Sequence, residues 1–163
     1  GITALKIEGR MKSEYYTANA VRAYKNALLE VSKYGDKADL QYWKAELEKA
    51  SYRDYTYGFY LGNPYETAQL YTSSSYIRNY DVVAIVKDYD KATQIAILEQ
   101  RNKFSEGDLL EVFGPIGKHS EIIAKDMRNA KGEKIDSAPH AQEIITMKVE
   151  QELAPYYIIR KKK

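Results

Sequence analysis

The chain has 163 residues, is 44% hydrophobic and 29% charged, and carries a net charge of +2, the composition of a soluble globular protein of one ordinary domain or two small ones. It has no Cys, which excludes disulfides, thiolate nucleophiles, zinc fingers and cysteine-held clusters within these residues. Its two histidines, His119 and His140, lie in no metal-binding pattern and read as surface or packing residues. No apolar run approaches the roughly 18 residues that a membrane span needs, and no charged-then-apolar leader is present. The expectation is a protein of the cytoplasm with no membrane contact.

Residues 3–9, TALKIEG, form a short β-rich run. From Ser13 the period changes: Tyr16, Ala20, Tyr24, Ala27, Leu28 and Val31 recur at helical spacing, with Ser13 as a cap and Gly35 just past the end. A second, shorter helix is expected from Asp36, its cap, to Ala50, with Asp39 in its first turn and Leu40, Trp43 and Leu47 on one face. Eight of the sixteen tyrosines fall within residues 51–80, which read as an ordered connector. Tyr rings bury large areas, so such a segment either lies flat on a neighbouring surface or offers a stacking platform for bases.

Beyond Tyr80 the period becomes two. YDVVAIVKDYD and KATQIAILEQ form a hairpin turning at DYDK, and LLEVFG, EIIAKDM, EIITMKV and YYIIR are further short strands, separated by the turn signals SEGD, GPIGK and NAKGEK. Strands of this number and spacing suggest a small antiparallel barrel. Charge is unevenly spread. Residues 1–35 carry six Lys or Arg against three acids, residues 80–159 ten bases against fourteen acids, and the chain ends on Arg160-Lys161-Lys162-Lys163. The basic ends read either as solvated surface with a frayed terminus or as the grip on a polyanion.

Lys6, Glu8 and Arg10 alternate, so on a strand they share one face. A carboxylate there suits proton transfer, and a guanidinium fork suits a carboxylate or phosphate; the plain alternative is a set of structural ion pairs. The Ser73 to Ser75 run lies in no nucleophile elbow, and the turn from Gly114 to Gly117 lacks the spacing of a phosphate cradle.

GITALKIEGRMKSEYYTANAVRAYKNAL resembles the junction motif of the collagenase-like peptidase U32 family, in which a similar segment forms the last strand of a TIM-like catalytic barrel and leads into its final helix. YRDYTYGFYLG resembles a further family segment through Arg53, Thr56, Gly58, Phe59 and Gly62. RNKFSEGDLLEVFGP resembles the entry to the family's C-terminal barrel, and APHAQEIITMKVE with PYYIIRKKK its terminal strands. Against that pattern, Ala141 stands where Pro commonly follows the Pro-His pair, and Tyr157 replaces a usual acid.

The resemblance implies the C-terminal part of a longer enzyme: an α+β chain in which the last strand-helix unit of a truncated TIM-like barrel is followed by a small antiparallel β-barrel. The expected organisation is residues 1–50, a barrel remnant of one strand and two helices; residues 51–80, a Tyr-rich connector; and residues 81–163, the C-terminal β-barrel domain. The expected function is an accessory substrate-binding barrel of a U32 peptidase-like enzyme, inactive alone; the alternative is the RNA-binding module of a tRNA or rRNA base hydroxylase of the same family. Glu8, Arg10 and Lys6 are the candidate catalytic residues of the full-length barrel. Arg53, Tyr55, Tyr57, Arg160 and Lys161 are the candidate substrate-binding residues. No metal or cofactor is expected within this chain, and the resemblance implies an iron–sulfur cluster in the N-terminal part. The expected partners are that catalytic barrel, an RNA or protein substrate, and a second copy through the first helix.

Overall fold

The computed structural model describes residues 2–50, 55, 57–60, 62–63 and 78–163, and the chain divides into two units, residues 1–79 and 80–163. Its class is α+β: two helices in the first unit, a curled antiparallel sheet in the second.

In the first unit, helix α1 spans Glu14–Tyr34. The Ser13 hydroxyl accepts the Tyr16 N–H at 3.3 Å, and Gly35, at φ 57°, ends the helix with its N–H on the Val31 carbonyl. Both ends are where the sequence puts them. Residues Gly35–Lys37 then make a single 3₁₀ turn, so the second cap is Asp39 rather than Asp36. Asp39 Oδ1 accepts the Tyr42 N–H at 3.1 Å, and its own N–H donates to the Glu30 carboxylate at 3.0 Å. Helix α2 is correspondingly short, Leu40–Glu48.

The face of α1 that packs on α2 is largely polar. Asn19, Ala20, Arg22, Ala23 and Asn26 are buried, whereas Tyr24, Leu28 and Val31 remain 44%, 57% and 43% exposed. The reason is Glu46 of α2, a carboxylate with no exposure at all, which must be paired. Arg22 Nη1 meets its Oε2 at 2.7 Å, Lys49 Nζ its Oε1 at 2.9 Å, and Asn19 Nδ2 donates to its carbonyl at 2.6 Å. Trp43 packs in the same seam, with the Arg22 guanidinium 5.4 Å from its ring. One buried acid therefore fixes the rotation of α1: of the Tyr16 to Val31 stripe Ala20 is buried, while Tyr24, Leu28 and Val31 are left outward.

The strand expected over residues 3–9 does not form: this run enters no ladder among the described residues. A strand of parallel type is stable only between neighbours, and no described strand lies in this unit.

The second unit holds β1 (Tyr80–Asp90), β2 (Ile95–Gln100), β3 (Phe104–Ser105), β4 (Leu109–Phe113), β5 (Ser120–Ile123), β6 (Ser137–Ala138), β7 (Ile144–Lys148) and β8 (Ile158–Lys162). Six of them form one antiparallel sheet in the order β5-β4-β8-β1-β2-β7, and β3 pairs with β6. The long β1 carries register shifts at Val82/Ala84 and Val86/Asp88. Each shift adds a residue on one side, which bends and twists the strand and curls the sheet into a half-barrel. The carbonyl that the first bulge would orphan is taken up: Val83 O accepts the N–H groups of Arg101 and Asn102. Inside the curl lie Val83, Val86, Leu98, Phe104, Leu110, Met127, Ile145, Met147 and Ile159.

Candidate functional site

The first unit carries a cleft of about 200 Å3. One wall is the run from Leu5 to Glu8, the other is α1 through Tyr16, Asn19, Ala20 and Tyr24, and Leu47, Ala50 and Tyr55 complete it. The run is held against the helix by a close approach at Gly9. A Cβ there would sit 3.3 Å from both Thr17 Oγ1 and Tyr16 Cε1, tighter than ordinary contact. The chain then turns, with the Lys12 N–H on the Gly9 carbonyl at 2.8 Å and the Arg10 N–H on Glu8 Oε1 at 3.1 Å. Glu8 is thereby oriented by a backbone donor two residues on.

Three residues singled out from sequence, Lys6, Glu8 and Tyr55, thus line one cleft. Arg10 and Tyr57, both exposed, do not line it. Arg53 lies outside the described residues. Chemically the cleft offers an ammonium and a carboxylate beside three phenol rings over an aliphatic floor. Such a set can stack a planar ligand and satisfy a donor and an acceptor on its edge.

In the second unit the terminal bases are not frayed but form β8. Arg160 has no exposure, and its Nε and Nη2 lie 2.8 and 2.7 Å from Glu111 Oε2. The Phe113 ring centroid is 4.7 Å from its guanidinium carbon and the Tyr80 centroid 5.4 Å. Tyr80 donates to Glu111 Oε1 at 3.4 Å, and His119 Nε2 stands 3.7 Å from the same oxygen. Lys161 Nζ meets Asp108 Oδ2 at 2.6 Å, and Lys163 meets Asp81 at 3.4 Å. Further pairs join Lys87 and Arg101 to Glu99, and Lys125 to Glu150. The acidic body and the basic tail of this unit largely answer each other, so their charge is local pairing more than a broad basic footprint.

Two functional-looking groups escaped the sequence reading: the buried Arg22–Glu46–Lys49 set and the Glu111–Arg160 pair. Asn19, Arg22 and Asn26 do recur at helical spacing, the only available signal, but a polar stripe reads as a solvated face. With no Cys in the chain, none of its residues can supply the thiolates that hold an iron–sulfur cluster.

Comparison with known proteins agrees with this division of the chain. Residues 1–70 match the model described as peptidase family U32, and residues 78–160 the model described as the peptidase family U32 C-terminal domain. The tRNA hydroxylation protein P1 of Bacillus subtilis is 34% identical over 164 residues, covering 100% of this chain and 39% of that protein. The tRNA hydroxylation protein P of Escherichia coli is 30% identical over 159 residues, covering 98% of this chain and 34% of that protein. The chain thus spans less than two-fifths of the length of either relative. A crystal structure of the C-terminal domain of a Geobacillus thermoleovorans protein described as a U32 peptidase is 34% identical, with a TM-score of 0.48, over 50% of this chain and 99% of that one.

Proposed function

The chain belongs to peptidase family U32, and from that membership we propose that it is the substrate-holding C-terminal region of a protein that hydroxylates tRNA. The observation that carries this reading is the similarity to tRNA hydroxylation protein P1, which runs the whole length of the chain at 34% identity and not over one motif alone. The geometry supports holding over turnover. Glu8 accepts a backbone N–H, Arg160 and Lys161 of the half-barrel are paired with Glu111 and Asp108, and the cleft presents rings and single polar groups. Lys6, Glu8 and Arg10 remain the candidates for chemistry in the longer protein, where a further part of the polypeptide would complete their surroundings.

The peptidase reading has the description of both family models in its favour, and makes this chain an accessory barrel that binds a polypeptide. The two readings separate on one titration. Fluorescence anisotropy of labelled tRNA, and of a labelled collagen-like peptide, is followed with increasing chain at two salt concentrations. The tRNA reading expects tRNA to bind and to weaken with salt, because Lys and Arg that meet phosphates displace counterions. Binding of the peptide with none of tRNA at low salt reverses the assignment.

A further inference from the structure

The cleft between residues 5–8 and α1 combines three properties. It is lined by three tyrosines, Tyr16, Tyr24 and Tyr55, of which Tyr24 and Tyr55 are 44% and 51% exposed, so their rings are reachable from solvent. It carries one ammonium, Lys6, and one carboxylate, Glu8, the latter aimed by the Arg10 N–H. Its volume of about 200 Å3 is below the roughly 300–1,000 Å3 of sites that enclose drug-sized ligands, so it suits one planar ring system and not a folded strand.

We infer that this cleft receives one unstacked base of single-stranded RNA, its ring against the tyrosines and its pairing edge against Lys6 and Glu8. The inference rests on the tRNA reading above and adds the place of contact. Proteins that read RNA specifically take bases from loops and ends, stack them on aromatic side chains and hydrogen-bond their exposed edges. Every base presents a donor beside an acceptor on that edge, which is the complement of a carboxylate beside an ammonium. In the second unit Arg160 is buried on Glu111, and Lys161 and Lys163 are paired with acids, so the basic tail offers phosphate less than its sequence suggests. Arg10, exposed beside the cleft, is left to meet the backbone that leads the nucleotide in.

The test uses the whole chain with tRNA, with a short oligouridine, oligocytidine and oligoadenosine, and with an RNA duplex as comparator. Tyr24→Ala and Tyr55→Ala should each weaken single-stranded RNA about 10-fold or more, the size of one lost base stack, and leave duplex binding unchanged. Tyr24→Phe should restore affinity, since the ring and not the hydroxyl carries stacking. Glu8→Gln should change the preference among the three oligonucleotides more than the mean affinity. Because Tyr24 and Tyr55 are half-exposed, the melting temperature should not move. Photo-cross-links from 4-thiouridine-bearing RNA should map to peptides containing Tyr16, Tyr24 or Tyr55. Failure of tRNA to bind at all removes both the tRNA reading and this inference. Normal tRNA binding by the alanine variants, with cross-links elsewhere, overturns the inference and leaves the tRNA reading standing. A fall in melting temperature that accounts for the lost affinity, or displacement of RNA by a peptide from the same cleft, also overturns it.

Discussion

Glu111 on β4 and Arg160 on β8 are directly opposed in the ladder, and two guanidinium nitrogens at 2.8 and 2.7 Å converge on one carboxylate oxygen of Glu111. Arg160 has no exposure, and that carboxylate and the ring faces of Phe113 and Tyr80 are among the groups that stabilise its charge. Removing one member strands a buried charge, which typically costs about 3–5 kcal/mol. Glu111→Ala should therefore unfold at markedly lower urea than wild type, and Arg160→Met, which removes the buried charge itself, should be the milder change. Equal, small effects from both would show that water reaches the pair.

Gly114, which follows β4, faces Tyr157, which precedes β8. A Cβ on Gly114 would land inside the Tyr157 ring, against Cε1 and Cζ. Gly114→Ala should cost about 1–3 kcal/mol through forced movement of that ring. In a Tyr157→Val background the same substitution should cost much less, because the two sites share one contact. Additive losses in urea denaturation would refute the coupling.

Two carboxylates tie loops to the half-barrel and are held below their ordinary range. Glu106 accepts the N–H groups of Met127 and Asp126, the first being the larger cause, and its carboxyl lies below the usual 4.5. At Asp108 burial pushes the carboxyl up, but the Lys161 ammonium and the Ser105 N–H outweigh it, and the net shift is downward from 3.8. Depressed folded values mean that both groups stabilise the fold fully above their unfolded values and lose that contribution as pH falls through the folded ones. Stability should hold from neutral pH to about 4.5 and then decline toward about 3, where carboxylates protonate. Glu106→Gln should be less stable at neutral pH and show a flatter acid limb. Parallel pH profiles for the two proteins would contradict this.

The outward face of α1 gives a different expectation. Leu28 and Val31 are exposed and one helical turn apart, so charging both should leave the folding free energy within about 0.5 kcal/mol. An apolar stripe of this kind seeks cover, and a second copy is the cover available in a pure sample. Light scattering should show self-association of the wild type that Leu28→Lys with Val31→Lys abolishes. A large loss of stability in that double variant would instead mean that the face is covered within the chain.

Local rules were legible in the sequence wherever a single stretch of chain decides the outcome. The Ser13 cap and the Gly35 stop bound α1 because a hydroxyl on a free N–H and a positive φ are properties of a few neighbouring residues. The run from Tyr80 to Asp90 was legible as a strand because alternation is local. Three things needed the tertiary structure. Which face of α1 is buried depended on Glu46, a residue 24 positions beyond Arg22, whose desolvated charge outweighs the attraction of an apolar stripe. The pairing of Arg160 depended on β4 lying beside β8, which turned the first residue of an apparent basic tail into a buried ion pair. The run of residues 3–9 has strand composition, but a ladder needs partners that composition does not supply, so what that run does is set by what lies next to it: here the tyrosines of α1 and the cleft between them.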